Sequence, residues 1–292
     1  MLVALTGLVT WWRVGRALES VDAIRLQVER TTAAHLHDRV PVPPTDDEIA
    51  HLAETMNSML ERLDSSQRAQ RRFVADASHE LRSPLATIRA SFEVAHPSSP
   101  ETSWEELGPI VRSETERMAR LVDNLLLLSR ADDASLAEVR DEVDLDDLVD
   151  AEARRLRRLV RLTVRLENAP VRVLGDELQL QQVVRNVLDN AARHARSTVR
   201  LRVSTQGGCA LVSIDDDGAG IPARDRDRVF ERFVRLDESR SRDSGGAGLG
   251  LAIARELAVA HGGTLLVTDS ALGGARFELS VPCRPSGTAD VP

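Results

Sequence analysis

The sequence predicts an α-helical hairpin that pairs with a second copy as a four-helix bundle. An α+β two-layer sandwich follows it, and a further pair of helices precedes both. Two patterns carry this reading. Over 67–131, apolar residues recur at threes and fours on either side of a proline-containing break. Over about 140–284, short β-type runs alternate with helical patterns, which suits helices layered on an antiparallel-rich sheet. The 292 residues are 42% hydrophobic, enough for two modest domains with their own cores. Aromatics make up only 3%, with no Tyr, so aliphatic packing must dominate those cores.

The first twelve residues, Met1 to Trp12, are apolar and uncharged, and Arg13 and Arg16 follow. A bilayer crossing needs roughly 20 residues. The segment also lacks the charged start and small-residue cleavage site of a signal peptide. Trp11 and Trp12 ahead of two Arg fit the cytoplasmic end of a membrane helix, with interfacial aromatics and positive charge inside. The expectation is that residues 1–12 end a transmembrane helix and that the catalytic part is cytoplasmic. The alternative is a frayed start.

Residues 13–66 read as two amphipathic helices with an extended connector. Val14, Leu18, Val21, Ile24 and Val28 mark the first stripe. Pro41, Pro43 and Pro44 rule out a helix interior between them. Asp46 and Asp47 cap the second helix, whose stripe is Ile49, Leu52, Met56, Met59, Leu60 and Leu63. The Asp47-Glu48-Ile49 start and Asn57-Ser58-Met59-Leu60 end resemble the HAMP linker of membrane receptors. That resemblance implies a unit passing motion between membrane and cytoplasmic domains. The alternative is an inert coiled-coil spacer.

The hairpin at 67–131 places Phe73, Ala77, Leu81, Leu85, Ile88, Phe92 and Ala95 on its first helix, and His96 to Pro100 breaks it. Its second helix carries Leu107, Val111, Glu114, Met118, Leu121, Leu125 and Leu128, a heptad stripe interrupted by one Glu. Two helices cannot bury both stripes alone, so a homodimer closing a four-helix bundle is expected. Further on, β-type runs fall at Leu162–Leu166, Val199–Val203, Leu211–Ile214, Leu265–Val267 and Phe277–Val281. Helical patterns fall at 176–194 and 249–260. The tail, 285–292, has turn and small residues and reads as disordered.

With 38 basic against 46 acidic residues the net charge is −8, which argues against nucleic acid as a partner. Every basic residue other than His is Arg, so any phosphate clamp must use Arg. Cys209 and Cys283 stand far apart and make no metal or redox motif.

Three stretches carry chemistry. In the first, His79 sits in a helix with Glu80 beside it and Pro84 five residues on. Pro84 removes an N–H and crowds the carbonyl of Glu80, which predicts a bend one turn past His79. A neutral imidazole accepts a phosphoryl group, and a carboxylate on one ring nitrogen makes the other more nucleophilic. In the second, Asn186 and Asn190 are i,i+4 on a helix, so both amides face one way and suit Mg²⁺ with phosphate. Arg193 and His194 lie one turn on. Paired Asn also occur on solvated helices. In the third, Asp216, Gly218, Gly220 and Ile221 follow a strand, where a carboxylate can accept an adenine amino group and Gly lets backbone approach. Gly246, Gly248 and Gly250 open a helix whose free N–H groups favour phosphate. Between the glycine runs, Phe230 and Phe233 anchor a polar lid from Asp237 to Ser244, and Arg235 and Arg240 could reach a transferring phosphate.

The run Phe73-Val74-Ala75-Asp76-Ala77-Ser78-His79-Glu80-Leu81-Arg82-Ser83-Pro84-Leu85 resembles the phosphoacceptor box of bacterial two-component sensor histidine kinases. Asn186 to Ala191 resembles their asparagine box. The boxes in this order resemble the ATP-binding domain that these kinases share with gyrase-type ATPases, Hsp90-type chaperones and MutL-type repair proteins. The resemblance implies ATP and Mg²⁺ as cofactors, His79 as phosphoacceptor and Glu80 as general base. It implies a hydroxyl at Ser83 that positions water for dephosphorylating a partner, and a separate response regulator as that partner. Arg193 and His194 stand where the family often has Lys and an aromatic residue. The rival readings are an ATPase or chaperone on the same nucleotide fold, and a catalytically silent dimeric relay.

Overall fold

The computed structural model describes residues 3, 5–8, 11–12, 25–26, 38–44, 48–94, 104–132, 141–236 and 247–283. They fall into two compact units, Met1–Ser78 and His79–Pro292. Among the described residues no helix is long and apolar enough to cross a membrane.

In the first unit, the connector lies on helix α1 (Glu48–Val94), whose first 31 residues belong to this unit. Val40 and Ala53 are buried together, with Ile49, Met56 and Leu60 packed around them. The Asn57 amide ties the connector down. Its Oδ1 accepts from the Val40 N–H at 2.8 Å, and its Nδ2 donates to the Val40 carbonyl at 3.0 Å. One side chain thus satisfies both polar groups of a residue that no ladder pairs. The first stripe, Val14 to Val28, lies mostly outside the described residues.

Where the sequence divides linker from hairpin, the structure has one continuous helix of 47 residues. Asp64 to Arg72 contains neither Gly nor Pro, so nothing ends it there. Pro84 lies within this helix, which continues past it as the stripe through Phe92 requires.

In the second unit, α1 is followed by α2 (Trp104–Asp132), the other arm of the hairpin. The α+β part runs β1 (Asp141–Asp144), α3 (Leu145–Leu159), β2 (Thr163–Glu167), β3 (Arg172–Gly175), α4 (Glu177–His194), β4 (Thr198–Gln206) and β5 (Cys209–Asp216). It ends with α5 (Gly250–Ala260), β6 (Thr264–Asp269) and β7 (Ala275–Pro282). The main sheet has the order β2-β4-β5-β7-β6, antiparallel except for the β2–β4 pair. The strands β1 and β3 form a separate antiparallel ribbon.

The helices α3, α4 and α5 pack on one face of the sheet, and α5 also packs against α2. The core between the layers is mainly aliphatic, with Val183, Val187, Val212, Ile214, Leu265 and Leu279 around Phe277, which Phe230 meets edge to face. The stripe of α2 is partly covered within the chain. Leu121 is 5% exposed and Leu128 fully buried, although the sequence leaves both without a partner. The apolar residues left outside are Leu85 and Phe92 on α1 and Ile110, Val122 and Leu126 on α2.

Candidate functional site

One cavity of about 680 Å³ gathers most of the residues that the sequence marks out. Asn186, Asn190, Arg193 and His194 reach it from α4; Asp216, Gly220 and Ile221 from the end of β5; Arg235 from the loop after it; and Gly248 and Gly250 from the start of α5. Glu80 and Pro84 line the same cavity from α1.

Asp216 is the last residue of β5 and is 2% exposed. Its Oδ1 accepts from the N–H of Gly218 at 2.8 Å and of Ala275 at 3.2 Å. Both bonds end on Oδ1, which leaves Oδ2 to accept from a ligand. Two glycines make room for this carboxylate. A Cβ on Gly218 would stand 2.5 Å from the His194 carbonyl and 2.8 Å from Asp216 Oδ1, and one on Gly274 would overlap Asp216 Oδ1.

The next residue, Asp217, points away and works as a clamp. It accepts from the Ser197 hydroxyl at 2.6 Å and from the N–H groups of Arg196, Ser197 and Thr198 at 2.8–3.1 Å. The Ser197 hydroxyl first, and these N–H groups with it, hold its carboxyl well below the usual carboxylate range. Asp217 thereby fixes the loop between α4 and β4 against the end of β5.

The helix α5 has no side-chain cap, so its first N–H groups remain free for an anion. Gly248 brings the chain in at φ 69°. Its carbonyl accepts from the Phe233 N–H at 3.0 Å, and a Cβ there would meet the Phe233 backbone at 2.9–3.2 Å. Phe233 itself has φ 64°, an uncommon value for an aromatic residue. Arg240 and Gly246, with the lid Asp237–Ser244, lie outside the described residues.

Asn186 sits against this first turn, its Cγ 3.6 Å from where a Gly250 Cβ would be. Asn186 Nδ2 is a buried donor without a hydrogen-bond partner. Such a donor is costly unless a ligand completes it. Two amides on one helical face and a free donor fit a hydrated Mg²⁺ ion shared with phosphate oxygens. An all-protein cage does not fit: among the described residues no three His, Cys, Asp or Glu cluster to hold a metal.

On the hairpin, His79 and Ser83 are both exposed, one turn apart. Neither lines the cavity wall. Successive helical residues point about 100° apart, so Glu80 turns toward α2 instead. There it meets Arg117 Nη2 at 3.5 Å.

Sequence reasoning missed several residues here. Arg117, Arg120 and Asn124 of α2 line the cavity. Buried Glu152 of α3 accepts from Arg155, Gln181 and Arg185, and Arg155 also bonds Asp189 beside Asn190. Burial alone would raise the Glu152 carboxyl, but the bonds from Arg185 and Arg155 outweigh it and the net direction is down. Only the interruption of the α2 stripe by Glu114 hinted at polar business on that helix.

Comparison with known proteins gives the family of each part of the chain. Residues 175–285 match the family model described as histidine kinase-, DNA gyrase B-, and HSP90-like ATPase. Residues 69–134 match the His Kinase A (phospho-acceptor) domain, and residues 12–65 the HAMP domain. The sensor protein CutS of Streptomyces coelicolor is 35% identical over 299 residues, covering 96% of this chain and 70% of that protein. The signal transduction histidine-protein kinase/phosphatase MprB of Mycolicibacterium vanbaalenii is 37% identical over 279 residues, covering 90% of this chain and 57% of its own length. The chain spans 54% to 60% of the length of three curated relatives, MprB among them. In fold it is similar to the Acinetobacter baumannii histidine kinase AdeS, with a TM-score of 0.57 at 22% identity over 70% of this chain and 98% of that one.

Proposed function

Since this chain belongs to the sensor histidine kinases of bacterial two-component systems, we propose that it phosphorylates its own His79 from ATP and passes the group to an Asp of a separate response regulator. The observation that carries this is the shared cavity. Glu80, next to the acceptor imidazole, lines the same space as Asn186, Asn190 and Asp216.

In this reading adenine stacks in the cleft and its amino group donates to Asp216 Oδ2. The phosphates lie against the first turn of α5, with Arg193, Arg235 and Arg240 supplying positive charge in a chain without Lys. Mg²⁺ held by the amide oxygens of Asn186 and Asn190 would neutralise phosphate oxygens. A ring nitrogen of His79 attacks the γ-phosphorus. A P–N bond forms, the bond to the β–γ bridging oxygen breaks, ADP leaves, and the ring proton passes to Glu80. Ser83, on the same helix face as His79, would hold water for dephosphorylating the regulator.

We assign 13–66 to the linker, 67–131 to dimerisation and phosphotransfer, 140–284 to ATP binding and 285–292 to a tail. The exposed row of Leu85, Phe92, Val122 and Leu126 supports a homodimer closing a four-helix bundle. The helical, exposed Val3, Leu5, Leu8, Trp11 and Trp12 support membrane attachment at the N-terminus.

The test is incubation with γ-labelled ATP and Mg²⁺. The label should be acid-labile and alkali-stable, as a phosphoramidate is, and absent from His79→Gln. Full labelling of that variant would end the reading.

A further inference from the structure

We infer that Arg117, held by Glu114, is the residue that positions Glu80 for phosphoryl transfer; this rests on the kinase reading above. Arg117 stands on α2 between two carboxylates. Its Nη2 lies 3.5 Å from Glu80 Oε2, and its Nη1 lies 3.8 Å from Glu114 Oε2. The Arg117 side chain is 28% exposed, so its guanidinium lies largely within the protein and in the cavity wall.

Glu114 makes little sense as a packing residue. It takes a position in an apolar heptad stripe, and its Oε2 is buried without a hydrogen-bond partner. A carboxylate oxygen kept from water in that way costs stability that a Leu would not. Its one evident task is electrostatic. At i,i+3 from Arg117 it draws the guanidinium along the helix face and aims the other arm of the fork at α1.

The consequence falls on Glu80. Its backbone position puts it about 100° round the helix from His79. Left to itself, a half-exposed Glu on a helix surveys several rotamers in water. The Arg117 fork confines the carboxylate to the cavity wall, on the side where the phosphates sit. A general base has to be within hydrogen-bond reach of the proton it takes, so this confinement sets how often the imidazole, phosphoryl group and base are aligned. Arg120 and Asn124 line the same wall, but neither pairs with Glu80 among the described residues.

The test is a double-mutant cycle on the 292-residue chain, following His79 labelling against ATP concentration. Arg117→Ala should lower kcat about tenfold or more while KM for ATP stays within roughly twofold, because nucleotide contacts are untouched. Arg117→Lys keeps a charge but not the fork, and should recover part of the rate. Glu80→Gln should cost roughly 100-fold. The double variant Arg117→Ala/Glu80→Gln should be no slower than Glu80→Gln alone, since Arg117 acts through Glu80. Glu114→Gln should lower kcat in the wild-type background and do nothing further in Arg117→Ala. A wild-type rate in Arg117→Ala, or losses that multiply in the double variant, would overturn the inference and leave the kinase reading standing. If Arg117→Ala unfolds, a wild-type kcat in both Arg117→Lys and Glu114→Gln overturns it equally. A wild-type chain that leaves His79 unlabelled would bring down the kinase reading, and this inference with it.

Discussion

Asp216 has two jobs on two oxygens, and a pair of substitutions separates them. Asp216→Ala removes the acceptor for the Gly218 and Ala275 N–H groups, both in buried surroundings. An unsatisfied buried donor costs about 1–3 kcal/mol, so two lost bonds should destabilise the α+β domain by about 2–6 kcal/mol. Asp216→Asn can keep its Oδ1 on those same donors and so should retain the fold. What it changes is the other atom, where an acceptor becomes an NH₂ donor facing the donor amino group of adenine. Loss of a charge-assisted bond is worth about 1.5–3 kcal/mol, or roughly 10- to 150-fold in affinity. Calorimetry of ATP binding reads the second quantity, and urea denaturation of the same samples reads the first. The expected pattern is Asn stable but weak-binding, with Ala weak in both. An Asp216→Asn variant that binds ATP like wild type would refute the Oδ2 contact. An Asp216→Ala variant as stable as wild type would refute the structural role of Oδ1.

Leu126, 56% exposed on α2, should lie in the dimer seam. Leu126→Asp would bury a charge there at a cost of several kcal/mol, and sedimentation should show monomer where wild type is dimer; an intact dimer would move the seam elsewhere. Gly274→Ala should lose about 1–3 kcal/mol of thermal stability and also ATP affinity, because its Cβ overlaps Asp216 Oδ1; unchanged melting would show that the β6–β7 turn can yield. Asp217 has a folded-state carboxyl held below its unfolded value, so its stabilisation is fully present above pH about 3.9 and fades as pH falls below it. The stability gap between wild type and Asp217→Asn should therefore be constant near neutrality and close in acid; a gap that widens on acidification would contradict the clamp.

The helical stripes of 67–131, the five strand runs and the glycine boxes were legible because each rests on local chemistry. Periodicity needs only a window of residues, and Gly220 and Gly248 each take a positive φ that their own turns demand. The ribbon strands β1 and β3, four residues each, were too short to show any period. The helix Leu145–Leu159 went unread because seven Arg and Asp residues among its first fourteen positions obscure its apolar stripe. Helix α1 runs unbroken through the boundary between linker and hairpin, since an uninterrupted run of helix formers gives no cause for a break there. In the site, residue type announced Asp216, Asn186 and Asn190 by themselves. Their partners were not announced. Gly274 makes room for Asp216 Oδ1 from 58 positions away in sequence, and Arg117 meets Glu80 across 37. Local sequence thus marked out the candidate groups for binding nucleotide and accepting phosphate. Only the tertiary structure decided that Glu80 turns from His79 toward α2, because helix geometry sends neighbours apart and the charge that holds Glu80 stands on another helix.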